Sequence, residues 1–243
     1  MEHFLLPFCI LLVAILYSSV GHGGASGYLA ILSLFGVSLV DAKTSALILN
    51  IIVSGLAFYF YFKNGHFKWK LFYPFALLSV PMSFLGSLIE IDPTLYKQIL
   101  GICLIFAVLR ILGIFGKEKS DKPNDLPLFW ALFIGAVLGL ISGIIGIGGG
   151  IILTPIMLLF SWGKVKEVAA VSALFICVNS ISGLFGTFNQ GFVFDSKFFS
   201  LILLAVVGGI LGSFWGSKKA LNVNLKRVLA GVLFFASVKL IFI

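Results

Sequence analysis

Two glycine-rich stretches hold the residues best suited to chemistry. They are "GHGGASG", with Gly21, His22, Gly23, Gly24 and Ser26, and "GIGGGIILT", with Gly146, Gly148, Gly149, Gly150 and Thr154. Both stand between apolar runs, so each is expected to end one helix and start another, glycine letting the chain turn at low steric cost. The first N–H groups of each new helix, around residues 23–26 and 148–151, then lack an intrahelical partner. In hydrocarbon, bare donors of this kind are costly. A helix N-terminus joins such donors to the positive end of the helix dipole, and a small anion is their natural acceptor. Ser26 and Thr154 could add hydroxyl donors, and the amides Asn50 and Asn179, inside apolar segments, could line the same cavity. His22 is the one histidine within an apolar stretch and could donate to an anion or carry a proton. Plainer uses compete: amides and small residues glue membrane helices together, and a neutral histidine can simply bond to backbone. Close packing is the expectation for Gly135, Gly139 and Gly143, spaced by four.

The elements that must position these residues follow from composition. A chain of 243 residues that is 60% hydrophobic and 11% charged, with a mean hydropathy of +1.15, is not a water-soluble globular protein. At about 20 apolar residues per spanning helix it is expected to be an all-α polytopic membrane protein embedded in the lipid bilayer. Ten apolar segments can be drawn: 4–20, 24–39, 44–62, 71–89, 94–115, 127–145, 150–161, 166–188, 196–216 and 222–243. The run 4–20 lacks a preceding basic stretch and is expected to be a retained helix. Segment 150–161 would reach only about 18 Å, against a hydrocarbon core of about 30 Å, so it cannot cross alone.

The chemistry that is missing narrows the function. The net charge of +8 is scattered through short connections, which argues for topology signals and against a nucleic-acid partner. All nine acidic residues fall at expected helix ends or in loops, which disfavours a cation pump or an intramembrane aspartyl protease. Cys9, Cys103 and Cys177 sit singly in apolar runs, and there is no HExxH, so no metal site, catalytic set or cofactor is expected. The glycine runs are not a nucleotide loop either, because no strand precedes them and no Lys-Ser/Thr pair follows.

The chain also repeats itself. Gly21, Gly23 and Gly24 match Gly146, Gly148 and Gly149. "SALILNIIVSGL" from Ser45 matches "SALFICVNSISGL" from Ser172, and "FLGS" ending at Ser87 meets "ILGS" ending at Ser213. Two repeats, 1–115 and 126–243, are thus joined by a charged linker, 116–125, "GKEKSDKPND". If each glycine break reverses the chain, 13 of the 17 Lys and Arg residues fall on one face, and Lys43, Lys97, Lys197 and Lys239 on the other. If the chain runs straight through, the split is 9 and 8. Only the first count obeys the positive-inside rule. It gives each repeat an odd number of passes, so the repeats are inverted, with five helical segments each and the first two short and glycine-broken. It also makes the linker cytoplasmic and puts both termini outside the cell membrane. Inverted repeats with paired broken segments are the pattern of a secondary transporter whose site lies between the repeats.

"GAVLGLISGIIGIGGGIILTPIMLL", residues 135–159, with "YSSVGHGGASGYLAIL" at the corresponding place in the first half, resembles the signature of the TauE/SafE sulfite exporter family. The resemblance implies export of small anions such as sulfite, thiosulfate or organosulfonates. The two halves differ at Ala30 against Pro155 and at His22 against Ile147. A rival expectation is a non-transporting membrane scaffold or assembly factor, in which repeat and glycines serve packing alone.

Overall fold

The computed structural model of the chain describes residues 2–112, 123–187, 196–218, 234, 237, 238 and 241. Most of the expected linker and of the tenth segment therefore lies outside the described residues. Nine helices lie among those described: α1 (Glu2–Ser18), α2 (Ala25–Leu34), α3 (Leu39–Lys63), α4 (Trp69–Ser87), α5 (Pro93–Ile111), α6 (Leu128–Ile145), α7 (Gly150–Leu159), α8 (Val165–Thr187) and α9 (Ser196–Lys218). Four are long and apolar enough to cross a membrane: Val40–Lys63, Leu128–Ile145, Val165–Thr187 and Phe198–Lys218. Phe199, Phe129 and Leu203 are 72%, 71% and 66% exposed, a surface that suits lipid rather than water.

The first nine expected segments recur in order, with two boundaries corrected. The segment drawn as 24–39 ends at Leu34, because Gly36 turns left-handed at φ 77° and the N–H of Val37 closes back on Leu32 O at 3.0 Å. The next begins at Leu39 rather than residue 44. Ser38 caps it, its Oγ accepting from Asp41 N at 3.2 Å and donating to Asp41 Oδ2 at 2.6 Å. Polar Asp41 and Lys43 look like loop in a hydropathy reading; the cap makes them a first helical turn. Asp92 plays the same part before α5, where the N–H groups of Leu95 and Thr94 hold its carboxyl below the usual carboxylate range.

Contacts between helices give the direction of each. Asn50 on α3 bonds Ser180 on α8, Cys177 bonds Ile51 O, and Tyr61 packs with Ala169, so α3 and α8 run antiparallel through the centre. Just past α1, Ser19 O accepts from Tyr61 Oη at 2.8 Å, near the end of α3, whereas Ala25 N at the start of α2 donates to Asn50 Oδ1, midway along α3. Between those two residues the chain has turned back, and α2 leads up to the start of α3. At the second break, Gly150 sits against Ile176 and Ser172 midway along α8, and α7 then returns to the start of α8. Each break therefore reverses the chain.

The outer helices pair crosswise. A Cβ on Gly135, Gly139 or Gly143 of α6 would strike Phe75 O, Ser79 O or Ser83 O of α4. These glycines serve the close approach expected of them. A second ladder, not singled out in the sequence, sets Gly208, Gly212 and Gly216 of α9 against Leu11 and Ile15 of α1 and Ser19 just after it. Lys68 meets Glu167 at 3.8 Å and Lys166 reaches Lys218 O at 3.5 Å, which gathers this basic group at one end of the bundle. At the opposite end Tyr96 donates to Ile145 O at 2.8 Å, and Lys43 lies beside Gly146.

Candidate functional site

Both glycine runs fold into left-handed turns: Gly21 and Gly24 have φ 76° and 97°, and Gly146, Gly148 and Gly149 have φ 86°, 75° and 71°. Gly24 and Gly149 are the N-caps of α2 and α7, and neither has a side chain to cap the helix. The donors expected there are partly spoken for. Asn50 Oδ1 accepts from Ala25 N at 3.1 Å, and the in-helix pattern resumes with Tyr28 N to Gly24 O and Leu153 N to Gly149 O. Among the described residues no acceptor takes the N–H of Ser26, Gly27, Gly150 or Ile151, although all four residues are buried.

Folding brings the two breaks together. Asn50 lies between them: a Cβ on Gly23 would fall on its Oδ1, and one on Gly148 would come 2.6 Å from its Nδ2. That Nδ2 donates to Ser180 Oγ at 2.7 Å. His22, from the first break, reaches the second. Its Nδ1 donates to Val20 O at 3.0 Å, and its Nε2 lies 3.2 Å from both Gly150 O and Thr154 Oγ1. Thr154 Oγ1 is also 2.9 Å from Gly150 O and 2.8 Å from Ser172 Oγ. Thr154 has one proton to give. Gly150 O, His22 Nε2 and Ser172 Oγ all stand within reach of it.

Ser26 Oγ is 2.9 Å from Tyr17 Oη, so both hydroxyls stand at the start of α2. Asn179 is elsewhere: its Nδ2 donates to Ser79 Oγ at 3.0 Å and to Phe175 O at 2.8 Å, which turns the amide toward α4. The position beside Asn50 belongs to its neighbour Ser180.

Besides Tyr17, Ser172 and Ser180, two residues with spare hydroxyls escaped the sequence reading. Tyr28, 0% exposed, has a hydroxyl with no partner among the described residues, 3.0 Å from where a Cβ would sit on Gly24. Ser142, 1% exposed, has an unpartnered hydroxyl too, with its Cβ 3.5 Å from that position on Gly149. Each helix start thus has a spare buried hydroxyl beside it. A tyrosine in an apolar helix gives no signal in sequence. Ser142 stands four residues before Gly146, at the level of Tyr17 in the first half, and only that offset could have marked it.

A helical bundle with an apolar outer surface, in which two broken helix pairs meet and leave buried donors without acceptors, belongs to the class of polytopic membrane transporters. The chain is a member of the sulfite exporter TauE/SafE family, whose sequence profile matches residues 6–240. It is 32% identical over 235 residues to a probable membrane transporter protein of Sinorhizobium fredii, covering 96% of this chain and 95% of that one. It is 28% identical over 240 residues to another of Methanocaldococcus jannaschii, covering 91% and 87%. No solved structure matches the chain.

Proposed function

We propose that this protein is a secondary transporter, working as an exporter, of small sulfur oxyanions such as sulfite, thiosulfate or organosulfonates. The anion binds where the two breaks meet, and the halves act as inverted repeats that close on it alternately. The observation that carries this reading is the set of buried N–H groups at Ser26, Gly27, Gly150 and Ile151 with no acceptor among the described residues, flanked by the spare hydroxyls of Tyr28 and Ser142. An oxyanion supplies several acceptor oxygens at once, and the N-terminal dipoles of α2 and α7 favour its charge. A scaffold would use the ladders of α6 and α9 equally well, but it has no need of unfilled donors at two helix starts. The family's name supports sulfite and outward movement.

The purified protein should be stabilised by sulfite, thiosulfate, sulfate or a sulfonate, and not by matched chloride. Ligand at about a hundred times its Kd adds about 2.7 kcal/mol to the native state. A melting temperature indifferent to every anion in the panel would remove the support for transport at this site.

The basic end, with Lys68 and Lys166, is the cytoplasmic one in this reading, the joining segment lies on that side, and the termini lie outside. A single cysteine placed by Lys68→Cys, with the three native cysteines replaced, should react with an impermeant maleimide only after cells are opened. Reaction in intact cells would reverse the orientation.

A further inference from the structure

Lys43 is 8% exposed, and among the described residues it is the one charged side chain in the buried set. It lies one turn inside α3, where its stem packs on the second break: a Cβ on Gly146 would sit 2.8 Å from Lys43 Cγ and 3.6 Å from Cε. Among the described residues no carboxylate lies within 4 Å of its ammonium and no acceptor bonds it; the ion pair formed is Lys68 with Glu167. The nearest acid in sequence, Asp41, is committed to Ser38. Burying an ammonium without a counter-charge is costly. The C-terminal end of α6, capped by Gly146, offsets part of that cost through its negative dipole end. The Ile145 carbonyl at that end is taken by Tyr96, not by Lys43.

Position supplies the rest. Lys43 and Asn50 are seven residues apart, which is two turns and about 10 Å, so they share one face of α3, with Leu47 between them. That face lies along the second break, Lys43 and Leu47 against Gly146 and Asn50 against Gly148. We propose that Lys43 is the counter-charge of the transported anion: it binds the anion on the path between the Lys43 end of the bundle and Asn50, and selects anions over neutral solutes. This rests on the anion reading of the break site, and it adds a residue which that reading does not contain.

Lys43→Met keeps the length of the stem and removes the charge. Inorganic thiosulfate and sulfate are the probes, with sodium chloride at matched ionic strength as control, and both melting temperature and Kd are read. Without anion, Lys43→Met should melt at or above the wild-type temperature, because a buried unpaired charge has gone. Its Kd for thiosulfate should rise at least about ten-fold, and Lys43→Arg should restore most of the affinity. A structural lysine gives the opposite pattern, in which the variant melts lower or fails to fold, and that result overturns the proposal. A wild-type Kd in Lys43→Met overturns it as well, while leaving the break site standing. A wild-type protein that no anion stabilises removes both.

Discussion

Asn50→Asp is expected to weaken thiosulfate binding by on the order of a hundred-fold at pH 8, and to give part of that affinity back as the pH is lowered toward 5. Aspartic acid has the shape of asparagine. Protonated, it still accepts from Ala25 N through one oxygen and donates to Ser180 Oγ through the other, as the amide does now. Ionised, it puts a negative charge where both breaks converge. Two like charges about 5 Å apart repel by about 3 kcal/mol at an effective dielectric constant of about 20, which is the hundred-fold. The sign separates the readings. A site for an anion recovers on acidification, whereas a site for a cation or a neutral solute would bind as well or better with the carboxylate present. Titrations of Kd on purified protein at pH 5, 6.5 and 8 check it. Undiminished binding at pH 8 would place the anion away from Asn50.

The second large effect is expected at Gly149. Gly149→Ala adds one methyl at the N-cap of α7, 3.0 Å from Phe175 Cε1, 3.3 Å from Leu138 O and 3.5 Å from Ser142 Cβ, next in the chain to the N–H groups of Gly150 and Ile151 proposed to hold the anion. The left-handed backbone at φ 71° costs alanine roughly 1–2 kcal/mol. The variant should therefore melt a few degrees lower, fold, and lose at least about ten-fold in anion affinity. Gly139→Ala is the contrast. Its methyl would meet Ser79 O and come 2.6 Å from Ser79 Cα, which is backbone that cannot move aside, so α4 and α6 must separate. Folded yield and melting temperature should fall further there, while the protein that does fold binds anion normally. Isothermal titration beside a melting curve separates the two variants. Equal affinity loss in both would make Gly149 a packing residue like Gly139.

How far the site was legible in the sequence differs residue by residue. Glycine runs inside apolar stretches announce a broken helix because the signal is local, and Gly24 and Gly149 do cap new helices with left-handed backbones. His22 stood out as a lone polar ring in apolar surroundings, and it does link the breaks. Asn50 and Asn179 gave one and the same signal, an amide in an apolar helix. Yet one reaches the breaks and the other turns to α4, because a helix distributes successive residues around its axis and only the neighbouring helices settle which side faces the centre.

The sequence by itself determined that the chain is helical, suited to a bilayer and broken twice in matching places. Length of apolar run, glycine and charge distribution act over a few residues and need no partner. The tertiary structure alone decided which donors remain unfilled, and among the described residues it left Tyr28, Ser142 and Lys43 buried without partners. It also paired α1 with α9 and α4 with α6 across the two halves. Those outcomes depend on groups far apart in the chain, such as Asn50 with Ser180, 130 residues away, and His22 with Thr154, 132 away. Satisfaction of a buried polar group is a property of the whole packed neighbourhood, and it exists only once the distant segments have met.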